Sequence, residues 1–154
     1  MTLLRSELTH PELLAILATC GHGDSIAVVD SNYPAHAHRL KSTPFMSLNI
    51  TQGVIATPLT ISLIAASVPI EKCTLPVPRG EESRDPERLV HTAIRAAVLG
   101  SNPGAEFFQV TPEEFYVLTS AASLAVMVGT GERSHYGSAI LTVGYLPELE
   151  TSRP

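Results

Sequence analysis

The run of consecutive apolar residues from Ile26 to Val29 is the feature that most constrains the fold of this chain. A strand that is apolar at every position buries both of its faces, as strands do in sheets that carry helices on both sides. The run follows a Gly-His-Gly-Asp turn at 21–24 and ends at Asp30. We therefore expect a central strand that delivers Asp30 at its carboxyl end, where ligands bind in α/β proteins.

Helix signals and short apolar runs alternate along the rest of the chain. Thr9 and Glu12 form a capping-box pattern before a helix that should end at Gly21, and Thr111 and Glu114 repeat this pattern around a proline. Asp85-Pro86 is a further helix start. The remaining predicted elements are a helix over 59–68 and strands over 46–50, 70–77, 107–110, 124–128 and 139–143.

This alternation predicts an α/β fold. The chain has 154 residues, of which 44% are hydrophobic, and this is the size of one domain with a substantial core. We expect a single domain over 1–154, with 145–154 as a surface tail. The architecture should be a three-layer α/β/α sandwich around a mostly parallel central sheet, with any antiparallel strand at the sheet edge.

Two helices raise specific questions about burial. The helix over 59–68 is apolar on nearly every side, so it is covered either by the sheet and a second subunit or wholly within one chain. In the helix after Pro86, His91 falls at i+4 from Glu87 and i−4 from Arg95. This spacing places His91 on the polar face, and we expect it to be exposed to solvent.

Charge and composition exclude several classes of partner. The net charge is −5 and the ten Lys and Arg residues are scattered, which argues against binding to nucleic acid or an anionic membrane. The uncharged stretch 42–70 is interrupted by prolines and is too broken to span a membrane. Residues 1–10 lack an apolar signal core, and Cys20 and Cys73 suggest free buried thiols, so we expect a cytoplasmic protein.

His22 is the first candidate for chemistry. Gly21 and Gly23 flank it and permit a tight turn that points the imidazole outward, where it can exchange protons near neutral pH. A second polar turn covers 131–138. The sheet either brings both turns to one pocket or places them on the two sides of a subunit interface. Alternatively, His22 only packs in a loop and Asp30 only ends a strand.

The chain lacks the phosphate-binding glycine motifs and the Gly-x-Ser-x-Gly nucleophile elbow of common α/β enzymes. Four short motifs stand out instead: Pro-Glu-Leu-Leu at 11–14, Gly-His-Gly-Asp at 21–24, Leu-Asn-Ile-Thr-Gln-Gly at 48–53 and Gly-Glu-Arg-Ser-His-Tyr-Gly at 131–137. On these motifs the chain resembles the RbsD/FucU family of D-ribose pyranases and L-fucose mutarotases, from about Pro11 to Gly144. Gly-His-Gly-Asp and Gly-Glu-Arg are more similar to the fucose branch, to which the chain looks closer, and Thr-Gln-Gly-Val at 51–54 is more similar to the ribose branch.

The resemblance implies a cytoplasmic isomerase that needs neither metal nor organic cofactor. Its substrate would be a monosaccharide such as L-fucose or D-ribose, and its assembly a ring-shaped homo-oligomer, an octamer or decamer, with sites at subunit interfaces. By position, His22 matches the proton donor and general acid/base, and Asp30 a substrate-binding carboxylate. Tyr136, Gly137 and Ser138 match the sugar-binding segment.

The chain departs from the family pattern at two positions. Ser138 stands where the family usually has Asn, and Pro112 where the fucose branch has Arg and the ribose branch His. Asp24, Pro112 and His135 are therefore possible further site residues, with Glu113 or His135 as substitutes for the missing polar group.

Three functions remain open from the sequence. The first is a mutarotase or pyranase that uses His22. The second is a sugar-binding or regulatory protein that lacks turnover, as the residues at 112 and 138 suggest. The third is a metal hydrolase built from His22, Asp24, Asp30 and His36, although no second motif fixes a ligand geometry and we expect no metal.

Overall fold

The computed structural model describes residues 4–82 and 88–148. These residues form one six-stranded sheet with four helices on its two faces. The helices are α1 (Pro11–Leu17), α2 (Thr57–Ala65), α3 (Leu89–Leu99) and α4 (Pro112–Thr119). The strands are β1 (Ser25–Val29), β2 (Phe45–Ser47), β3 (Ile70–Pro76), β4 (Glu106–Val110), β5 (Leu124–Gly129) and β6 (Ala139–Val143).

The sheet is mostly parallel, as predicted, in the order β2-β5-β1-β6-β3-β4. Strand β6 is antiparallel to both of its neighbours, β1 and β3, and the other neighbouring pairs are parallel. The expectation that an antiparallel strand would lie at the sheet edge is therefore wrong. The turn after β5 leads straight into β6, so β6 starts where the parallel strands end, which we call the carboxyl edge. From there it runs antiparallel to β1 and β3, between them.

Strand β1 lies at the centre of three layers. Ile26 and Val28 enter a core that includes buried residues of α1, α2 and α3. Ala27 and Val29 enter a second core on the opposite face, where Phe115 of α4 packs. Alternate residues of a strand point to opposite faces, so the uninterrupted apolar run is buried on both sides, as predicted.

The first turn of α4 follows the predicted pattern, and the start of α1 does not. The hydroxyl of Thr111 accepts the backbone N–H of Glu114, and the Glu114 carboxylate accepts the backbone N–H of Thr111, which completes a capping box. Helix α1 is capped by the His10 ring, whose Nδ1 accepts the backbone N–H of Leu13 at 3.3 Å. The predicted capping role of Thr9 is wrong, because the helix begins one residue later.

Several predicted boundaries shift. Helix α1 ends at Leu17 rather than near Gly21, and β2 ends at Ser47 rather than at residue 50. The predicted helix start at Asp85-Pro86 lies outside the described residues, and α3 is described from Leu89. These differences lie at element ends, where local signals are weakest.

His91 is fully buried, so the prediction that it would be exposed is wrong. It shares a face of α3 with Ile94 and Val98, at helical spacings of three and seven, and both of these residues are also fully buried. The packing of α3 on the sheet therefore buries the face that carries His91, although the spacing of the charged neighbours had indicated that this residue is exposed.

Helix α2 is not wholly buried within one chain. Ile61 and Ile64 are fully buried against the sheet side, whereas Leu59 is 51% exposed. The alternative in which the chain itself covers every side of this helix is therefore wrong. Across the two described segments, every helix is too short or too polar to cross a bilayer.

Candidate functional site

A pocket of about 210 Å³ opens at the carboxyl edge of the parallel strands. Asp30 follows β1, Pro76 ends β3, and Pro112 begins α4 shortly after β4. The turn between β5 and β6 also lines the pocket, with His135, Tyr136 and Ser138. The pocket thus combines polar groups from the connection after β1 and the turn between β5 and β6, at the sheet edge where α/β proteins bind ligands.

Hydrogen bonds fix both carboxylate oxygens of Asp30. Its Oδ1 accepts the backbone N–H of Asn32 at 2.9 Å, and its Oδ2 accepts the Ser138 hydroxyl at 2.6 Å. The Ser138 oxygen in turn accepts the backbone N–H of Asp30 at 2.9 Å. Asp30 is 9% exposed, and a carboxylate oxygen can accept more than one hydrogen bond. The pocket therefore presents an oriented anionic acceptor.

Tyr136 is held from two sides in a backbone conformation that is uncommon for a non-glycine residue, with φ of 60°. Its carbonyl oxygen lies 2.9 Å from Nε2 of His91, and the guanidinium of Arg88 lies 4.9 Å from its ring centroid. A carbonyl can only accept, so Nε2 of His91 carries the proton. Burial lowers the pKa of His91 below 6.5, although the bond to Tyr136 opposes this shift and the charges of Arg88 and Arg95 add to it.

Gly137 is required by the close approach of its neighbours. Its N–H donates to the carbonyl of Ser134 at 3.1 Å. A Cβ at this position would lie 2.7 Å from Cγ of Glu132 and 2.8 Å from the Ser134 carbonyl oxygen. Any larger residue would therefore displace the turn that carries Tyr136 and Ser138.

Aromatic side chains that follow β1 or belong to α4 form another part of the pocket wall. Tyr33 packs edge-on against Phe115, with ring centroids 5.9 Å apart, and its hydroxyl bonds to Thr119. The Tyr116 ring stacks on His38 at 3.9 Å. Burial raises the pKa of Tyr33 to about 12, so this phenol stays protonated at neutral pH. The wall offers flat apolar faces to a ligand held by Asp30.

His22 lies at the opposite edge of the sheet, in the turn before β1. Its Nε2 is 2.9 Å from Oε2 of Glu71, and its ring packs edge-on to Tyr145. Asp24 is in the same turn, where its Oδ2 accepts the backbone N–H of Gly21 at 2.7 Å. The length of β1 alone, four steps of about 3.3 Å, separates the two edges by roughly 13 Å. The two polar turns therefore do not share a pocket within one chain.

The sequence matches the model of the RbsD / FucU transport protein family over residues 3–146. This match covers nearly the whole chain. The chain belongs to the RbsD / FucU family.

Solved structures of other proteins have the same fold. RbsD of Bacillus subtilis, solved in complex with D-ribose, gives a TM-score of 0.73 at 22% identity, covering 94% of this chain and 99% of that chain. The fucose mutarotase of Streptococcus pneumoniae, solved with L-fucose, gives 0.71 at 24% identity, covering 90% and 94%. FucU from Bifidobacterium longum gives 0.73 at 19% identity, covering 90% and 96%. At these identities the similarity shows the fold alone.

In this RbsD / FucU family member, Pro112 and His135 both line the pocket, and Glu113 is engaged elsewhere. Glu113 forms an exposed ion pair with Arg79, with Oε1 to Nη2 at 2.7 Å, and the Arg79 hydrogen bond lowers the pKa of Glu113. Of the two substitutes predicted for the missing polar group at 112, His135 is the one that faces the pocket.

The sequence patterns did not indicate three pocket residues, Tyr33, Phe115 and Tyr116. They also did not indicate that His91 contacts Tyr136 or that Glu71 contacts His22. Tyr33 follows Asp30 by three residues, and the other two aromatic residues lie in the first turns of α4, so their proximity to Asp30 and Pro112 was a usable signal. Glu71 lies far from His22 in the sequence, and only strand pairing brings the two together.

The predicted metal-hydrolase constellation is not assembled in this RbsD / FucU family member. His22 and Asp24 lie at the edge opposite Asp30, and the His36 ring lies 6.3 Å from that of Phe45. Among residues 4–82 and 88–148, no three His, Cys, Asp or Glu side chains are grouped as metal ligands.

Proposed function

We propose that this protein is a cofactor-independent isomerase that interconverts the anomers or ring forms of a monosaccharide such as L-fucose or D-ribose. The observation that carries this proposal is the buried, oriented Asp30 carboxylate in a pocket that aromatic side chains also line. Membership of the RbsD / FucU family and the sugar complexes of two proteins with the same fold support it.

The chemistry of the pocket suits a neutral sugar. Asp30 can accept hydrogen bonds from sugar hydroxyls, and the faces of Tyr33 and Tyr116 can pack on the C–H face of a pyranose. Among the described residues, no Lys or Arg lines the pocket to neutralise a phosphate or carboxylate, and the guanidinium of Arg88 lies against the Tyr136 ring. A free monosaccharide therefore fits this lining better than a sugar phosphate does.

We propose that His22 acts on the sugar as general acid/base from a neighbouring copy of the chain. The two edges of the sheet are too far apart for His22 and Asp30 of one chain to contact the same monosaccharide. His22 is 59% exposed at its own edge, which leaves its ring open to a neighbour. A ring of subunits that meet edge to edge would complete each site with groups from two chains. The exposed Leu59 is available for a subunit contact.

The reaction needs only proton transfers. The base removes the proton of the anomeric hydroxyl, the carbonyl forms as the bond between C1 and the ring oxygen breaks, and the ring oxygen takes up a proton. The open-chain aldehyde rotates and closes again with the reverse transfers. One imidazole can perform both transfers, because it can accept a proton and then donate it. The free thiols Cys20 and Cys73 support action in the cytoplasm.

Exchange NMR tests the activity directly. The native protein is mixed with fucose, ribose, galactose or rhamnose, and the rate of anomer or ring-form exchange is measured. We expect acceleration with at least one sugar and its loss in His22→Ala, with sugar binding retained. His36→Ala, a change in an exposed histidine outside the pocket, is the matched control and should exchange at the native rate. Acceleration that survives in His22→Ala would refute the role of His22.

Mixed assemblies test whether the site is shared. His22→Ala and Asp30→Ala should each be inactive alone. Co-expressed in equal amounts, they should regain about one quarter of native activity, because random neighbours pair an intact His22 with an intact Asp30 at that frequency. A mixture as inactive as its components, from a preparation that light scattering shows to be mixed oligomers, would rule out a shared site.

The second candidate is a sugar-binding protein without turnover. The observation that favours it is Pro112, which presents no polar side chain to the pocket. Line broadening of one sugar without faster exchange in the NMR experiment would select this candidate over the isomerase.

A further inference from the structure

Three chain segments meet around His22 at the amino edge of the sheet. His22 precedes β1, Glu71 is the second residue of β3, and Tyr145 follows β6. Because β6 lies between β1 and β3, it brings these segments together. Gly144 is the point of close approach: its N–H donates to the Pro69 carbonyl at 2.9 Å, and a Cβ on it would lie 3.2 Å from Cβ of Glu71.

The contact between Glu71 and His22 defines which imidazole nitrogen carries the proton. Oε2 of Glu71 lies 2.9 Å from Nε2 of His22. An ionised carboxylate only accepts hydrogen bonds, so Nε2 is the protonated nitrogen, and the lone pair of the neutral ring is on Nδ1. A histidine whose second nitrogen is bound in this way has a fixed tautomer and a fixed ring orientation. Tyr145 restricts the same ring from a second direction, edge-on at 5.6 Å.

The exposure of His22 and Glu71 indicates how much their contact can contribute to stability. The side chains of His22 and Glu71 are 59% and 37% exposed. Ion pairs in such positions contribute little to folding because water screens the attraction. A role in holding the imidazole therefore accounts for the contact better than a role in holding the fold.

We infer that Glu71 is a positioning residue for His22, and that Nδ1 of His22 is the nitrogen that exchanges protons with the sugar. This inference rests on the proposed function of His22. Nδ1 takes the proton from the anomeric hydroxyl as the C1–ring-oxygen bond breaks, and then delivers it to the ring oxygen. Nε2 keeps its proton throughout, and the Glu71 carboxylate stabilises the transient imidazolium.

The test combines a tautomer measurement with kinetics. Long-range proton–nitrogen NMR of ¹⁵N-histidine-labelled protein reports which nitrogen of His22 is protonated, with His22→Ala used to assign its signals. We expect the Nε2–H form in the native protein and in Glu71→Gln, whose amide oxygen still accepts the bond. In Glu71→Val we expect a mixture of tautomers and a fall in kcat of about 10-fold or more, with KM changed less than about twofold. Glu71→Gln should fall between the two in kcat.

The control is Glu106→Gln, a change in an exposed glutamate on the neighbouring strand β4, which should leave both readouts at native values. Glu71→Val with a native tautomer, or with native kcat, would overturn the inference. A rise in KM with unchanged kcat in Glu71→Val would overturn the inference as well. If the native protein accelerates no sugar, the proposed function fails. The tautomer comparison between the native protein and Glu71→Val then decides by itself whether Glu71 orients His22.

Discussion

Replacing Ser138 by alanine should destabilise the protein and disorder the Asp30 carboxylate together. The Ser138 hydroxyl donates to Oδ2 of Asp30 and accepts the backbone N–H of Asp30, and its residue is 1% exposed. Alanine keeps the volume nearly unchanged but removes both bonds. The sugar contact that the resemblance implies for Ser138 stays a prediction, and the geometry adds that its hydroxyl holds Asp30.

The magnitude follows from the two lost bonds. A hydrogen bond to a charged acceptor contributes about 1.5–3 kcal/mol, and a buried N–H left without a partner costs about 1–3 kcal/mol. The two effects share one hydroxyl and are not additive, so we expect a loss of about 3 kcal/mol in the free energy of unfolding. For a chain of this size, that corresponds to a Tm lower by roughly 6–12 °C.

Urea unfolding at one fixed protein concentration measures this loss, and fixed concentration matters because subunit association would contribute to stability. Ser134→Ala, a change in an exposed serine of the same turn, is the control and should stay within about 0.5 kcal/mol of the native protein. Titration of the substrate sugar should show weaker binding in Ser138→Ala only. If the free energy of unfolding falls no more in Ser138→Ala than in Ser134→Ala, the role of the Ser138 hydroxyl in holding Asp30 is refuted.

Two other substitutions test the turn that carries Tyr136. Gly137→Ala should weaken sugar binding by about 10-fold or more in calorimetric titration, because its Cβ would meet the Ser134 carbonyl oxygen at 2.8 Å and displace the turn. Gly104→Ala, where a Cβ has open space, should bind normally, and equal affinities in the two variants would contradict the steric argument. Burial lowers the pKa of His91 below its ordinary 6.5, so the unfolded chain binds more protons than the folded chain as the pH falls through this range. The stability that neutral His91 contributes should therefore be present above about pH 6.5 and decline below it. The measurement is the urea midpoint from about pH 5 to 8, and in His91→Gln the part of its decline that is due to His91 should be absent. A native-minus-variant difference that is the same at every pH would be evidence against the shift.

Local patterns predicted most of the secondary structure. The apolar run 26–29, the Thr111–Glu114 capping box and the mainly apolar segment 139–143 each specify their element through neighbouring residues alone. The errors at α1 and β2 concern element ends, where local signals are weakest.

The burial of His91 was decided by packing. Two faces of α3 are compatible with its sequence, one with Ile94 and Val98 and one with the charged residues, and the docking of the helix on the sheet selected the first. A bond to the Tyr136 carbonyl, 45 residues away in the chain, satisfies its Nε2 after burial.

The sequence by itself determined the α/β class, the buried central strand and the presence of Asp30 at its carboxyl end, because these follow from periodicity and from the residues adjacent in the chain. The tertiary structure alone decided that β6 enters the interior of the sheet, and this has two consequences. Its first residues bring Ser138 to Asp30, and its last residues bring Glu71 and Tyr145 around His22 at the opposite edge. Both arrangements depend on contacts between strands distant in sequence, which local patterns do not specify.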